Sequence, residues 1–251
     1  MKRKTQNLFL ATMVGLTVSS YGAISFTENF SDNSAAPNMA LGTGHGSPTT
    51  TTTGNFTITS GSNSRIYLGT NNTDYSTVDF TFEVDVTVPA AIFSNPWTIA
   101  FLGMGSPNAN GGAFGEPTTG SNIIMALRGD DLGQVGNLTR RDNGVFSSPG
   151  VTPWQNLGLF AGTHGMRMDW NATSDEATFM FDLGNDGTYD APLNFTTVGS
   201  DNGFTASNSQ LFLGGGNGLS FDNINVSVVP EPSAALLGGL GVLALLRRRR
   251  N

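Results

Sequence analysis

Glu83 and Asp85 are the residues best spaced to do chemistry. They lie in Val78-Asp79-Phe80-Thr81-Phe82-Glu83-Val84-Asp85-Val86-Thr87-Val88, where apolar and polar residues alternate throughout. A period of two puts both carboxylates on one face of a strand, beside Asp79 and Thr81. Two carboxylates can serve as nucleophile and proton donor on a glycosidic bond. They can also accept hydrogen bonds from a polyhydroxylated ligand. The next residue on this face, Thr87, cannot protonate a leaving group. The pattern favours the wet face of an amphipathic strand, with Glu83 and Asp85 as ligand-contacting candidates and no catalytic residue assigned.

Glu28 and Asp222 pose a different question. In Ile24-Ser25-Phe26-Thr27-Glu28-Asn29-Phe30, alternation places Glu28 with Ile24, Phe26 and Phe30. In Asp222-Asn223-Ile224-Asn225-Val226-Ser227-Val228 it places Asp222 with Ile224, Val226 and Val228. A carboxylate on an apolar face needs a partner or a proton. First and last strands of a jelly roll commonly pair antiparallel, which would bring these two segments together. A calcium ion with oxygen ligands from Glu28, Asp222 and nearby carbonyls or Asn would satisfy both. The alternatives are that each lies at a rim, or that a bulge at Phe221-Asp222 turns Asp222 to solvent.

Three further segments carry candidate groups. Asp182-Leu183-Gly184-Asn185-Asp186-Gly187-Thr188-Tyr189-Asp190 has oxygen ligands but neither the order nor the closing Glu of an EF-hand, so Asn185-Asp186-Gly187 reads as a turn. Trp154 sits among turn residues, where it could stack on a sugar ring or plug one end of the fold. Arg140-Arg141-Asp142 reads as a charged turn.

The elements that must position these residues are strands. Candidates are Ile24–Phe30, Asn55–Ser60, Arg65–Leu68, Val78–Val88, Trp97–Met104, Ile123–Arg128, Gly165–Trp170, Ala177–Leu183, Gln210–Leu213 and Leu219–Val229, separated by Gly, Asn, Asp and Pro clusters. Gly42–Gly54 and Gly103–Ser121 read as loops. Trp97 and Trp170 fall in strand pattern as core residues. No stretch of the body has a helical period. About ten strands in one unit predict an all-β fold, a two-sheet antiparallel jelly-roll sandwich.

Composition narrows the function. The chain has 251 residues, 33 glycines, no cysteine and two histidines, His45 and His164. Thiol chemistry and zinc–thiolate sites are excluded. Between the two ends there is no lysine and only five arginines, Arg65, Arg128, Arg140, Arg141 and Arg167, whereas all 19 acidic residues fall between Glu28 and Glu231. Such a body repels nucleic acid and attracts cations.

Both ends read as removable. Met1-Lys2-Arg3-Lys4, the apolar Leu8–Val18 and the small residues Ser19–Ala23 form a signal peptide over 1–23, helical in its apolar part, with signal peptidase as its partner. Residues 24–228 are the sandwich domain. In 229–251, Pro230-Glu231-Pro232 precedes the apolar run Ala234–Leu246 and the basic stop Arg247-Arg248-Arg249-Arg250. That run of 13 residues makes a helix of about 20 Å, short of the roughly 30 Å hydrocarbon core. It has no polar face, and the arginines would stay on the cytoplasmic side. The segment resembles the PEP-CTERM tail of exported bacterial proteins. The resemblance implies sorting by an exosortase-type enzyme that recognises Pro230, Glu231 and Pro232, and residence at the inner membrane, the cell surface or an exopolysaccharide matrix. The body, through its strand count and the His164–Phe181 hairpin, resembles the concanavalin A-like lectin/glucanase (laminin-G-like) fold. That resemblance implies carbohydrate binding. A glycan-active hydrolase and a purely structural surface protein are the alternatives.

Overall fold

The computed structural model describes residues 23–32, 38–42, 50–59, 65–90, 98–105, 122–128, 134–140, 146–147, 155–156, 161–190, 195–198, 204–205, 207–216 and 218–229. These residues form two antiparallel sheets. The first holds β1 (Phe26–Glu28), β3 (Thr50–Thr51), β4 (Phe56–Ile58), β6 (Phe80–Val88), β12 (Gly162–Asn171), β13 (Glu176–Asp182), β14 (Phe195–Val198) and β16 (Ser220–Val228). The second holds β2 (Met39–Leu41), β5 (Arg65–Thr70), β7 (Thr98–Gly105), β8 (Asn122–Arg128), β9 (Gln134–Arg140), β10 (Phe146–Ser147), β11 (Gln155–Asn156) and β15 (Gln210–Gly216). Between β5 and β6 a single 3₁₀ turn spans Tyr75–Thr77.

The order in the first sheet is β14-β13-β12-β6-β16-β4-β3. β6 borders β16 along one edge, so β1 and β4 share the other edge in tandem. β1 covers Ile224 to Val226, and β4 covers Ser220 and Phe221. The first and last described strands are therefore antiparallel neighbours, as the sequence suggested. The order in the second sheet is β10-β9-β8-β7-β15-β5-β2.

Period two is what makes the core. Phe80, Phe82, Val84, Val86 and Val88 of β6 are all buried, while the residues between them are not. The same inner face collects Met166, Met168, Phe179, Phe181 and Phe221, which pack with Leu102, Met104, Met125 and Leu213 of the other sheet. Trp170 is buried there too, donating through Nε1 to the Ser76 carbonyl at 3.1 Å. Each buried large apolar side chain contributes about 1.5–3 kcal/mol. In β15, Gly214 is required by packing: a Cβ there would overlap the backbone of Ile66 and lie 2.7 Å from the Tyr67 Cα.

All ten strands read from sequence overlap observed strands. Two readings need correction. Thr50–Thr51, placed in a loop, pairs with β4, and Gly103–Gly105 extend β7 rather than opening a loop. β2, β9, β10, β11 and β14 were missed. They lie in polar, Gly-rich or very short stretches where alternation is weak, and pairing with a neighbour decides the matter. The signal helix, the C-terminal helix and Trp97 lie outside the described residues. Among the described residues no helix is long and apolar enough to cross a membrane.

Candidate functional site

The polar residues of β12, β6 and β16 fall into four rows on the outer face of the first sheet. Register aligns Thr163, Thr87 and Ser220, then Gly165, Asp85 and Asp222. Next come Arg167, Glu83 and Asn225, and last Asp169, Thr81 and Ser227. Cross-strand neighbours on one face are within contact distance, so the sheet assembles residues distant in sequence into one polar surface. Thr87 and Thr163 share a hydroxyl hydrogen bond at 2.9 Å, and Thr57 and Ser220 share another at 2.8 Å.

Glu83 is at the centre, and both its oxygens are occupied. Oε1 accepts from Arg167 Nη1 at 3.1 Å and from the Tyr189 hydroxyl at 3.1 Å, while Oε2 accepts from Asn225 Nδ2 at 3.1 Å. Arg167 also forks onto Asp169, through Nε at 2.8 Å and Nη2 at 3.0 Å, and Thr81 donates to the same carboxylate. The planar guanidinium, 5.6 Å from the Tyr189 ring centroid, thus stands between two carboxylates and against an aromatic face. The hydrogen bonds to Asp169 are the main reason its pKa is raised, working against burial. Burial first, then the charge of Glu83 and its hydrogen bond, push the Tyr189 hydroxyl up to about 12.

Asp85 and Asp222 are directly opposite each other. β16 then gains one residue: Asp222 faces Asp85 and Asn225 faces Glu83, with two residues between them against one. Asn223 is the extra residue and adopts φ 50, the left-handed conformation of a bulge. The bulge corrects the face assigned to Asp222. That residue shares the outer face with Asp85, and only beyond the bulge do Ile224 and Val226 turn inward. Asn223 Nδ2 donates to Asp85 Oδ2 at 2.7 Å, and Asp222 Oδ1 accepts from the Asn223 backbone at 2.8 Å.

Glu28 ends β1 opposite Ile224 and does lie on the side of Phe26. Its Oε1 accepts the backbone N–H of Phe30 at 2.5 Å, and Asn29 Oδ1 accepts that of Ser31. These bonds cap a turn in which Phe30, at φ 51, buries its ring fully. Beside this turn lies a cleft of about 520 Å³. It is lined by β1 and the turn that follows it, and by the bulged segment Asn223–Asn225 with which β1 pairs. Glu28 lines this cleft, whereas Asp222 is not part of its lining. Among the described residues no group of three or more Asp, Glu or His side chains could hold a metal.

The Asp182–Asp190 segment turns its carboxylates on itself. Asp182 accepts from the backbones of Asp186 and Gly187, Asp186 from Thr188, and Asp190 from Leu183. His164, stacked on Phe181 with centroids 5.5 Å apart, accepts the Gly184 N–H through Nδ1. Asn185 and Gly187 both have positive φ, so the turn read from Asn-Asp-Gly is present. It carries Tyr189, whose hydroxyl reaches Glu83.

No family model matches this chain, and no curated protein matches it in sequence. Solved structures do match its fold. The exoplasmic/lumenal domain of VIP36 in its metal-free form superposes with a TM-score of 0.59 at 10% identity, over 82% of this chain and 92% of that one. Lectin II from Ulex europaeus gives 0.54 at 14% identity, over 82% and 99%. Arcelin-5, a lectin-like defense protein from Phaseolus vulgaris, gives 0.53 at 8%, over 82% and 98%. The body is a lectin-type β-sandwich. At such identities the likeness is one of fold.

Within this lectin-type sandwich, Glu83 and Asp85 share one face as the alternation implied. Sequence reading missed Arg167, Asp169, Tyr189, Asn223 and Asn225. Arg167-x-Asp169 carries the same signal as Glu83-x-Asp85, two charged residues on the wet face of an alternating strand. Nothing local ties Tyr189 or Asn225 to Glu83. Trp154, Pro230, Glu231, Pro232 and Arg247–Arg250 lie outside the described residues.

Proposed function

We propose that this is an exported, non-catalytic β-sandwich of the cell surface or extracellular matrix, sorted by its PEP-CTERM tail, that binds carbohydrate. The observation that carries the binding reading is the Glu83–Arg167–Asp169 knot in a lectin-type sandwich. A retaining or inverting glycosidase needs one carboxyl to give a proton and another to attack or to activate water. Here the carboxylates of Glu83 and Asp169 are joined by one guanidinium and accept further hydrogen bonds. That surface suits holding hydroxyl groups better than breaking bonds between sugars. Lectin UEA-II has been solved with galactose, and VIP36 with calcium and mannose ligands, which supports trying sugars with and without calcium. Glu28 and Asp222 are the donors to vary in the calcium arm.

The test is a glycan array probed with the chain as the cell exports it, alongside hydrolysis of a panel of β-glucans. The expected result is retention on glycans without turnover. Hydrolysis abolished by Glu83→Gln would overturn the reading in favour of an enzyme. Absence of retention on every glycan would leave a structural surface protein. Sorting is tested by intact mass of the surface form, which should lack residues 1–23 and the arginine stop. A cytosolic product retaining Arg250 would refute it.

A further inference from the structure

The chain enters and leaves the sandwich at one corner of the first sheet. β1 runs antiparallel to β16 with Phe26 opposite Val226. The two segments stay together past that ladder, where the Val228 N–H donates to Ser25 Oγ at 2.8 Å. Ile24 is held by its carbonyl, which accepts the Tyr75 hydroxyl at 3.1 Å. Val229 is held by its N–H, which donates to the Asp79 carbonyl at 2.8 Å. The β12–β13 turn shares this end, since the Ala172 N–H donates to Asp79 Oδ1. Ser220 and the Asp182–Asp190 turn lie at the opposite end.

Each anchor point is a few residues from an apolar run. Leu8–Val18 ends six residues before Ile24, and Ala234–Leu246 begins five residues after Val229. The basic groups, Lys2-Arg3-Lys4 and Arg247–Arg250, flank the two runs on the sides away from the sandwich. The positive-inside bias therefore puts the sandwich on the outer side through both runs. An extended residue spans at most about 3.6 Å, so the two leashes reach no more than about 22 and 18 Å. β16 has nine residues and is about 30 Å long. Neither leash can run back along the strand far enough to bring Ser220 down to a bilayer. Ile24 and Val229 are also 39% and 52% exposed, and apolar surface gains by leaving water. Resting on the export and sorting reading, we infer that the end of the sandwich bearing Ile24 and Val229 faces the lipid surface, with the Asp182–Asp190 turn held away from it.

The chain has no cysteine, so a single introduced cysteine can carry a donor dye. Thr173→Cys marks the near turn and Thr188→Cys the far one, and both positions are exposed. The length of β13, seven residues or about 23 Å, separates them. The full chain is reconstituted in vesicles of phosphatidylethanolamine and phosphatidylglycerol with an acceptor dye on the headgroups. Energy transfer from Thr173→Cys should exceed that from Thr188→Cys several-fold. Flexible Gly-Ser inserts of about 20 residues after Ser20 and after Val229, each with a mean reach of roughly 25 Å, should remove most of that difference. Equal transfer from the two sites without inserts, stronger transfer from Thr188→Cys, or a difference that survives the inserts would each overturn the proposal. A chain that floats with the vesicles but shows equal transfer loses the orientation and keeps the anchoring. A chain that does not float with them loses both.

Discussion

Asp222 stands directly across the strand pair from Asp85, and the residue that follows it breaks step. Those two facts belong together. Like charges in opposite positions on one sheet face repel. The left-handed Asn223 then sends its amide to Asp85 and its backbone N–H to Asp222, one donor for each carboxylate. The bulge supplies the neutral dipoles that let two aspartates share a row.

Removing one charge should therefore stabilise the chain. Asp222→Asn keeps the Oδ1 acceptor for the Asn223 backbone and removes the repulsion. We expect a gain of about 0.2–1 kcal/mol by urea denaturation at low salt, shrinking as salt screens the pair. A loss of stability would mean that Asp222 is satisfied by something other than Asn223.

The inner face of β6 was legible because its alternation is uninterrupted, so that a single period assigns every side chain. The face of Asp222 was not, because one inserted residue shifts every assignment on its N-terminal side. Composition permits a bulge at Asp222-Asn223-Ile224 but does not require one; pairing with β6 and the need to bury Phe221 together with Ile224 do. Glu83 shows the same limit. Its place on a wet face follows from sequence, but its partners Arg167, Tyr189 and Asn225 come from three segments that only the sheet order brings together.

Arg167 is the fork that joins Glu83 to Asp169, and its side chain is 29% exposed. Arg167→Met should cost about 1–2 kcal/mol, a range lowered from that of fully buried charged hydrogen bonds because water screens the site. Arg167→Lys should recover less than half of the loss, since an ammonium cannot span both carboxylates with a planar fork. Full rescue by lysine in thermal denaturation would show that only the charge matters.

The two perturbed tyrosines give a pH signature. Burial pushes Tyr75 up to about 12, reinforced by the charge of Asp74, and its hydroxyl donates to the Ile24 carbonyl at 3.1 Å, a bond only the protonated phenol can make. Tyr189 is likewise raised to about 12. The folded chain holds these protons more tightly than the unfolded chain, whose tyrosines titrate near 10. Their contribution to stability is thus fully present below about pH 10 and is lost as pH rises from 10 through 12. Absorbance at 295 nm should show these two phenols ionising late, together with unfolding. Tyr189→Phe should remove one late phenol and part of the alkaline loss. Tyr75 and Tyr189 both titrating near 10 in folded protein would refute this.

Asn223 tests whether the bulge is imposed by the sheet or by its own residue. At φ 50 a β-branched side chain is strained by roughly 1–2 kcal/mol, whereas glycine adopts this conformation freely. The chain has no inexpensive way to relax that strain. Expelling the bulge would slip β16 by one residue against β6, turning either Phe221 or the pair Ile224 and Val226 to water, and all three are buried. Their exposure would cost more than the strain, at about 1.5–3 kcal/mol for each side chain. Both Asn223→Gly and Asn223→Val remove the amide donor to Asp85, so the strain is read as their difference: Asn223→Val should keep the register and be about 1–2 kcal/mol less stable than Asn223→Gly. Hydrogen exchange at β6 and β16 checks the register, and urea denaturation checks the cost. If valine is as stable as glycine and the exchange pattern shifts along β16, the strand can slip, and burial of Phe221 and Ile224 does not hold the bulge in place.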